Sequence, residues 1–382
     1  MKEQVSNEKL RLMVFDSAKE LGQKVDEYLL EMYNLDKGKS TFIVPIKENF
    51  FDDGHLKVEI GETVRGKDVF FLTDVGNYSL TYNMHGIINH TSPNDLICQL
   101  KDGIGACSCH ADKLNIIMPL LYAGRQHRRN TRENLTCGET LREFDNISKM
   151  KSFNTFDAHD KGVEHSVHNM EFNNFVVTDV VLESFINDLD KEILRNLVFV
   201  APDNGATGRR MVYLNSFNSK YINREAGSFV KQRDYNRLVD GKYPILSHDY
   251  SGNNNLEGKT AIVIDDMISS GGSMLDVVDE LIKRHIEHIY IIVTYALFTK
   301  GVDEFDKYYH EGKINGIYTT NLSYIPDEFK EYEWLHVCDC SEELAQIIYR
   351  IHNDLSISDI LRDRSSSVRL LEKKFAPPKK EQ

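Results

Sequence analysis

The sequence predicts an α/β protein of two domains, each built on a mainly parallel sheet flanked by helices. Three observations lead there. Apolar runs of strand length recur along the chain and are mostly continuous, as in strands covered on both faces. Amphipathic stretches at helical spacing lie between several of them, the alternation that makes a parallel sheet with right-handed crossovers. A length of 382 residues exceeds one ordinary compact core and suits two.

Taken in order, "LRLMVF" reads as a short strand ending near Phe15, and Leu21, Val25, Tyr28, Leu29 and Met32 then recur at helical spacing. Strands are expected at "TFIVPI" (41–46), "DVFFL" (68–72), "LNIIMPLLYA" (114–123), "NLVFVAP" (196–202), "TAIVID" (260–265), "HIYIIVTYAL" (288–297) and "GIYTT" (316–320). "DVVLESFINDLDKEIL" and "SMLDVVDELIKRH" are helical patterns. The stretch 75–94 reads as a surface insertion. The segment 161–180 is polar and irregular and carries the domain boundary, which gives domains 1–170 and 171–361. Residues 362–382, ending "APPKKEQ", read as a polar tail.

Composition narrows the function. With 41% hydrophobic and 27% charged residues the chain is an ordinary globular protein. A net charge of −13 argues against nucleic acid as a partner, which needs an extended basic face. A small anionic substrate needs only a few clustered arginines. No apolar stretch reaches the length of a membrane span, and "MKEQVSNEKLRLMVF" lacks the apolar centre of a signal peptide, so a cytoplasmic location without membrane contact is expected. The pairs "CSC" (107–109) and "CDC" (338–340) miss the usual Cys-x2-Cys zinc spacing and read as reduced structural thiols.

The chemistry concentrates at "TAIVIDDMISSGGSMLDVV" (260–278). Two carboxylates, Asp265 and Asp266, are expected at the carboxyl end of a strand, where open α/β sheets collect ligands. Ser269, Ser270, Gly271, Gly272 and Ser273 form a small-residue turn opening a helix, whose amides and dipole suit an anion. An ordinary glycine turn with capping serines would also read this way, but it does not explain adjacent acids that repel each other unless cations or hydroxyls compensate. A second cluster, "YAGRQHRRNTREN", sets Arg125, Arg128, Arg129 and Arg132 close together after a strand, a pattern that suits polyphosphate through bidentate guanidinium pairing and, taken alone, equally a solvated basic loop. "NTFDAHD" offers His159, and "FVAPDNGATGRR" ends another strand with Asp203 and a glycine loop.

The first of these stretches resembles the phosphoribosyl diphosphate (PRPP) binding motif of the type I phosphoribosyltransferases. In order, all of them resemble ribose-phosphate pyrophosphokinase (PRPP synthase). "YAGRQHRR" is similar to the family's Tyr-x-Arg-Gln-Asp-Arg-Lys segment, "DAH" to Asp-Leu-His, and "PDNGATGR" to Pro-Asp-x-Gly-x-x-x-Arg. "VRGKDVFFL" and "FFDDGH" resemble the family's strand and its Phe-x-Asp-Gly-Glu adenine loop, and "FVKQRDY" its Lys-x-Arg catalytic loop. His55 replaces the adenine-loop glutamate, His127 an aspartate, Arg129 a lysine and Ser269 an aspartate, while Ser270 and Ser273 keep the hydroxyls of threonines.

The resemblance implies two phosphoribosyltransferase-like domains and the transfer of pyrophosphate from ATP to ribose 5-phosphate. It places Lys231 and Arg233 as catalytic cations. Phe51, Asp53, Arg125, Gln126, Arg128 and Arg129 would serve ATP, and Asp265, Asp266 and Ser269 to Ser273 ribose 5-phosphate. His159 and Asp203 would lie near Mg²⁺, the implied cofactor. It also implies a homo-oligomer based on dimers, up to a hexamer. A catalytically silent nucleotide-binding homologue and a base phosphoribosyltransferase are the alternatives.

Overall fold

The computed structural model describes residues 9–129, 132–233, 245–358, 360 and 365–376, with the side chains of 231–233, 245–248 and 365 outside the description. The chain forms two compact units. The first comprises Met1–Val176, Asn321–Tyr324 and Asp339–Arg362, and the second Val177–Thr320, Ile325–Cys338 and Asp363–Gln382.

In the first unit, β1 (Leu10–Val14) leads into α1 (Lys19–Met32), whose buried stripe is Leu21, Val25, Leu29 and Leu30. The hairpin β2 (Ile46–Phe50) and β3 (Leu56–Ile60) follows, then the fully buried β4 (Asp68–Leu72). A second hairpin is made by β5 (Thr81–Met84) and β6 (Ile87–His90). Ser92 and Asp95 form a reciprocal cap on α2 (Pro93–Ser108), with Pro93 in the first turn where no amide donor is needed. The unit continues through β7 (Lys113–Ile117), α3 (Thr136–Asp145), β8 (Met150–Phe156) and β9 (Glu171–Phe175). Its sheet runs β1-β4-β7-β8-β9 with every neighbouring pair parallel.

A line of polar side chains, buried from Asp68 to Asn154 and half-buried at Asn173, crosses that sheet. Asn115 Nδ2 donates to Asp68 Oδ1 (2.7 Å), Ser152 Oγ to Asn115 Oδ1 (2.8 Å), Asn154 Nδ2 to Ser152 Oγ (2.8 Å) and Asn173 Nδ2 to Asn154 Oδ1 (3.0 Å). Each group is satisfied by the next, which is how polar groups are tolerated in a core.

The second unit contains α4 (Thr178–Asp188), β10 (Asn196–Ala201), α5 (Thr207–Ser216), β11 (Asn223–Arg233), β12 (Ile245–Ser251), β13 (Thr260–Ile268) and α6 (Gly272–Ile282). After these come β14 (His288–Ala296), α7 (Asp303–His310), β15 (Gly316–Thr320) and β16 (Leu335–Cys338). The sheet order is β12-β11-β10-β13-β14-β15-β16, parallel except for the antiparallel β11–β12 ribbon. Val198, Val200, Ala261 and Val263 face one apolar core, and Leu197, Phe199, Ile262 and Ile264 the other, so the continuous apolar runs fill both faces.

The last two helices belong to different units. In the first unit α8 (Ser341–His352) packs on α1, and His352 Nδ1 lies 2.7 Å from Asp68 Oδ2 in the core. In the second, α9 (Ser365–Phe375) packs on α4 and α5, burying Leu371 completely.

Several expectations are corrected. The first sheet takes β9 by pairing it with β8, so the division falls after Val176 rather than at 170. Asn321–Tyr324 and Asp339–Arg362 join the first unit, and 365–375 is a packed helix instead of tail. "TFIVPI" makes an isolated bridge between Ile43 and Leu12, and only its last residue, Ile46, enters a strand, because Pro45 has no amide to continue a ladder. The strand expected at 114–123 stops at Ile117. Among the described residues, no helix is long and apolar enough to cross a membrane. All six cysteines are free thiols, and burial pushes Cys107 and Cys137 up to about 12, so those two are protonated and unreactive.

Candidate active site

The candidate residues lie in both units: Phe51, Asp53, the arginine loop and His159 in the first, and the acids, the small-residue turn, Asp203, Lys231 and Arg233 in the second.

In the second unit the acid pair sits inside β13, not at its end. Pairing with β14 carries the strand on to Met267 and Ile268. Asp266 is buried and its amide donates to Asp265 Oδ1 at 2.9 Å. Burial pushes the Asp265 carboxyl above its ordinary value, and the neighbouring Asp266 adds to this. The Arg209 guanidinium opposes the shift, with Nη1 3.6 Å from Asp265 Oδ1. Asp203, at the end of the adjacent strand β10, contributes further negative charge to Asp265. Its own Oδ1 accepts the amides of Gly205 (2.8 Å) and Ala206 (3.2 Å), folding the loop that delivers Arg209 on the first turns of α5. The structure thus supplies the compensating cation that two adjacent acids require. Arg209 was legible only as the last member of the "PDNGATGR" string.

Beyond the acids, the turn is fixed by the chain after β14. Leu297 donates to the Ile268 carbonyl and Thr299 to that of Ser269, both at 2.9 Å. Gly271 is the cap of α6 with φ +85°, and a Cβ there would come within 2.5 Å of the Phe305 ring. No other residue type meets both conditions without strain. The carbonyl of Gly271 accepts from Met274 and Leu275, which leaves the amides of Gly272 and Ser273 ahead of the first intrahelical donors. Ser270 and Ser273 flank Gly271 and Gly272 in the chain.

Lys231 and Arg233 lie on the last residues of β11, in backbone register with His248 and Ile245 of β12. The expected loop position is therefore strand at these two residues, and 234–244 lie outside the described residues.

In the first unit, Phe51 projects from the β2–β3 turn, 53% exposed, an open aromatic surface. Asp53 Oδ1 accepts the amide of His55 (3.0 Å), and His55 Nδ1 stands 3.1 Å from Asp53 Oδ2. These contacts with His55 hold the Asp53 carboxyl below its ordinary value. The arginine loop starts with turns at Leu121–Gly124 and Ala123–Gln126, with Ala123 at φ +53°. Arg125, Gln126, Arg128, Arg129 and Arg132 are all exposed. His127 ties this loop to the one that carries His159: its Nε2 is 3.3 Å from Asp160 Oδ2 and its ring centroid 5.4 Å from that of His159. In the sequence His127 stands out only as a departure from the family pattern.

A model described as the N-terminal domain of ribose phosphate pyrophosphokinase matches residues 10–146, and one for the phosphoribosyl transferase domain matches 182–323. The chain belongs to the ribose-phosphate pyrophosphokinase family. Relatives bearing the family name extend over almost the whole length. The chain is 24% identical to one from Gloeobacter violaceus over 362 residues, covering 94% of this chain and 95% of the relative. It is 25% identical to one from Nostoc sp. over 358 residues, covering 93% and 94%. The phosphoribosylpyrophosphate synthetase of Mycobacterium smegmatis has the same fold, with a TM-score of 0.70 at 18% identity over 91% of this chain and 99% of that one. Within this family, the full-length coverage brings the arginine loop and the acid pair together in one chain.

Proposed function

We propose that the chain transfers the β,γ-pyrophosphoryl group of ATP to ribose 5-phosphate, giving PRPP and AMP. The ribose 1-hydroxyl oxygen bonds to the β-phosphorus, the bond from that phosphorus to the oxygen bridging to the α-phosphate breaks, AMP leaves with that oxygen, and the hydroxyl proton passes to solvent. Such a transfer depends mostly on positioning and charge neutralisation. The reading is supported by the Asp265–Arg209 pair next to the glycine-capped start of α6, in a chain that also carries the family's N-terminal domain. A base phosphoribosyltransferase has no use for that domain.

The amides of Gly271 to Ser273 and the serine hydroxyls of 269, 270 and 273 hold the sugar 5-phosphate. Asp265 and Asp266 orient the ribose 2- and 3-hydroxyls. Phe51 stacks on the base and Asp53 accepts from it, while Arg125, Gln126, Arg128 and Arg129 grip the ATP phosphates. Lys231 and Arg233 stabilise charge on the transferring group. When bound with the nucleotide, Mg²⁺ would offset phosphate charge. Asp203 and His159 are the residues that would hold it, the former through the hard carboxylate oxygen that Mg²⁺ prefers. Among the described residues no cluster of three or more His, Cys, Asp or Glu side chains is assembled for a metal. Six free thiols suit the reducing cytoplasm as the place of action.

The test is AMP release from ATP, Mg²⁺ and ribose 5-phosphate. AMP formed only with the sugar phosphate supports the reading. No AMP from folded protein that binds nucleotide would leave a silent homologue.

A further inference from the structure

Residues 75–94 contain no Lys, Arg, Asp or Glu, in a chain that is 27% charged and carries −13 overall. They include the β5–β6 hairpin, closed by His85 (φ +52°) and Gly86 (φ +78°), residues suited to the positive φ that a two-residue turn demands. Ile87 and Ile88 are 65% and 74% exposed. Successive strand residues point to opposite faces: Ile87 extends the face on which Tyr82 stacks against Phe50, and Ile88 stands on the other. What both faces share is the strand edge.

The register fixes which backbone groups that edge presents. Thr91 donates to the Leu80 carbonyl at 2.9 Å, and the pairs step from Thr81↔His90 to Met84↔Ile87. Bonded and non-bonded pairs alternate in an antiparallel ladder. Leu80/Thr91, Tyr82/Asn89 and Met84/Ile87 are therefore bonded within the hairpin, and Ile88 and His90 turn their N–H and C=O outward. Contact with β2–β3 is made through the turn and one face of the hairpin: His85 donates to the Asp52 carbonyl (2.8 Å), and Tyr82 stacks on Phe50 at 4.0 Å. Exposed edges are usually blunted by a lysine, a proline or a bulge, and Ile87–His90 has none of these.

We propose that β6 pairs antiparallel with β6 of a second copy about a two-fold axis, with Ile88 at the contact. Identical edges related by a two-fold axis are antiparallel and self-complementary, so no other protein is required. Two copies at −13 repel each other, and they approach closely where neither carries charge. The proposal adds a surface to the self-association that the family resemblance implies, and it does not depend on the reaction.

Sedimentation velocity over a concentration series tests it with wild type, Ile88→Lys and Ile88→Pro. Lysine places like charges across the axis. Proline removes only an outward donor and spares the internal ladder. The wild type is expected to associate. Both variants should lose one association step, weakened roughly 30-fold or more as for a buried interface anchor, with unchanged circular dichroism melts. A monomeric wild type, or variants that associate as the wild type does, would overturn the proposal. AMP formation measured on the same samples reports on the reaction separately.

Discussion

Arg209 is the residue on which the second unit's charge balance turns. In the proposed role Asp265 accepts from ribose hydroxyls most strongly as a carboxylate, so activity should rise with pH through its titration. Its carboxyl is raised by burial and by Asp266, and Arg209 holds it down. Arg209→Gln should move the acid limb of the kcat/KM profile to higher pH, while a limb that stays in place would detach Arg209 from Asp265. Lys231→Ala should lower kcat by roughly 10² or more if the ammonium acts on the transition state. Unchanged turnover would remove it from the mechanism. At Gly271 a methyl group meets both a positive φ and the Phe305 ring. Gly271→Ala should cost about 1–3 kcal/mol and raise KM for ribose 5-phosphate more than KM for ATP, as read from denaturant melts and steady-state kinetics.

At the scale of elements, the chain's late helices show what the sequence concealed. The run 362–382 reads as tail because its charges are dense, yet Leu371 is fully buried, Ser367 Oγ donates to Asp179 Oδ1 at 2.7 Å, and Lys374 caps the carbonyls of Ile186 and Leu189 near the end of α4. Leu371→Ala should destabilise by about 2–5 kcal/mol, measurable by urea unfolding. A loss below ~0.5 kcal/mol would return the segment to the status of a tail. The strands that were recognised, such as β4, β10 and β14, are continuous apolar runs. Those that were missed are polar for physical reasons. β8 and β9 hold Ser152, Asn154 and Asn173, which satisfy one another in the core. β11 and β12 form a two-stranded ribbon at the sheet edge, where continuous burial is not required. The acid pair and glycine turn were legible because few folds place such residues together. The Arg209 and His127 contacts were not, because they join segments far apart in sequence.

For the whole molecule, one apparent boundary in the sequence became an interleaved division. The first sheet keeps Asp68 buried with His352 Nδ1 2.7 Å away, and that histidine comes from α8. A fragment spanning 9–176 lacks it and also exposes the α1 surface on which α8 packs. It should melt well below the intact protein, and a peptide covering 339–362 should raise its midpoint by several degrees or more, given the ~4–8 °C that each kcal/mol contributes in a domain of modest size. An identical melt with and without the peptide would show that α8 is dispensable.

The same placement of α8 bears on how the chain is made. Domains generally fold as units from the N-terminus while synthesis proceeds. Here the helix carrying His352 leaves the ribosome only after every strand of the second sheet, from β10 to β16, has been translated. The unit begun first therefore cannot be finished first. Until then the nascent chain carries an uncovered α1 surface and a buried aspartate without its imidazole, and this is the interval in which a chaperone has something to protect.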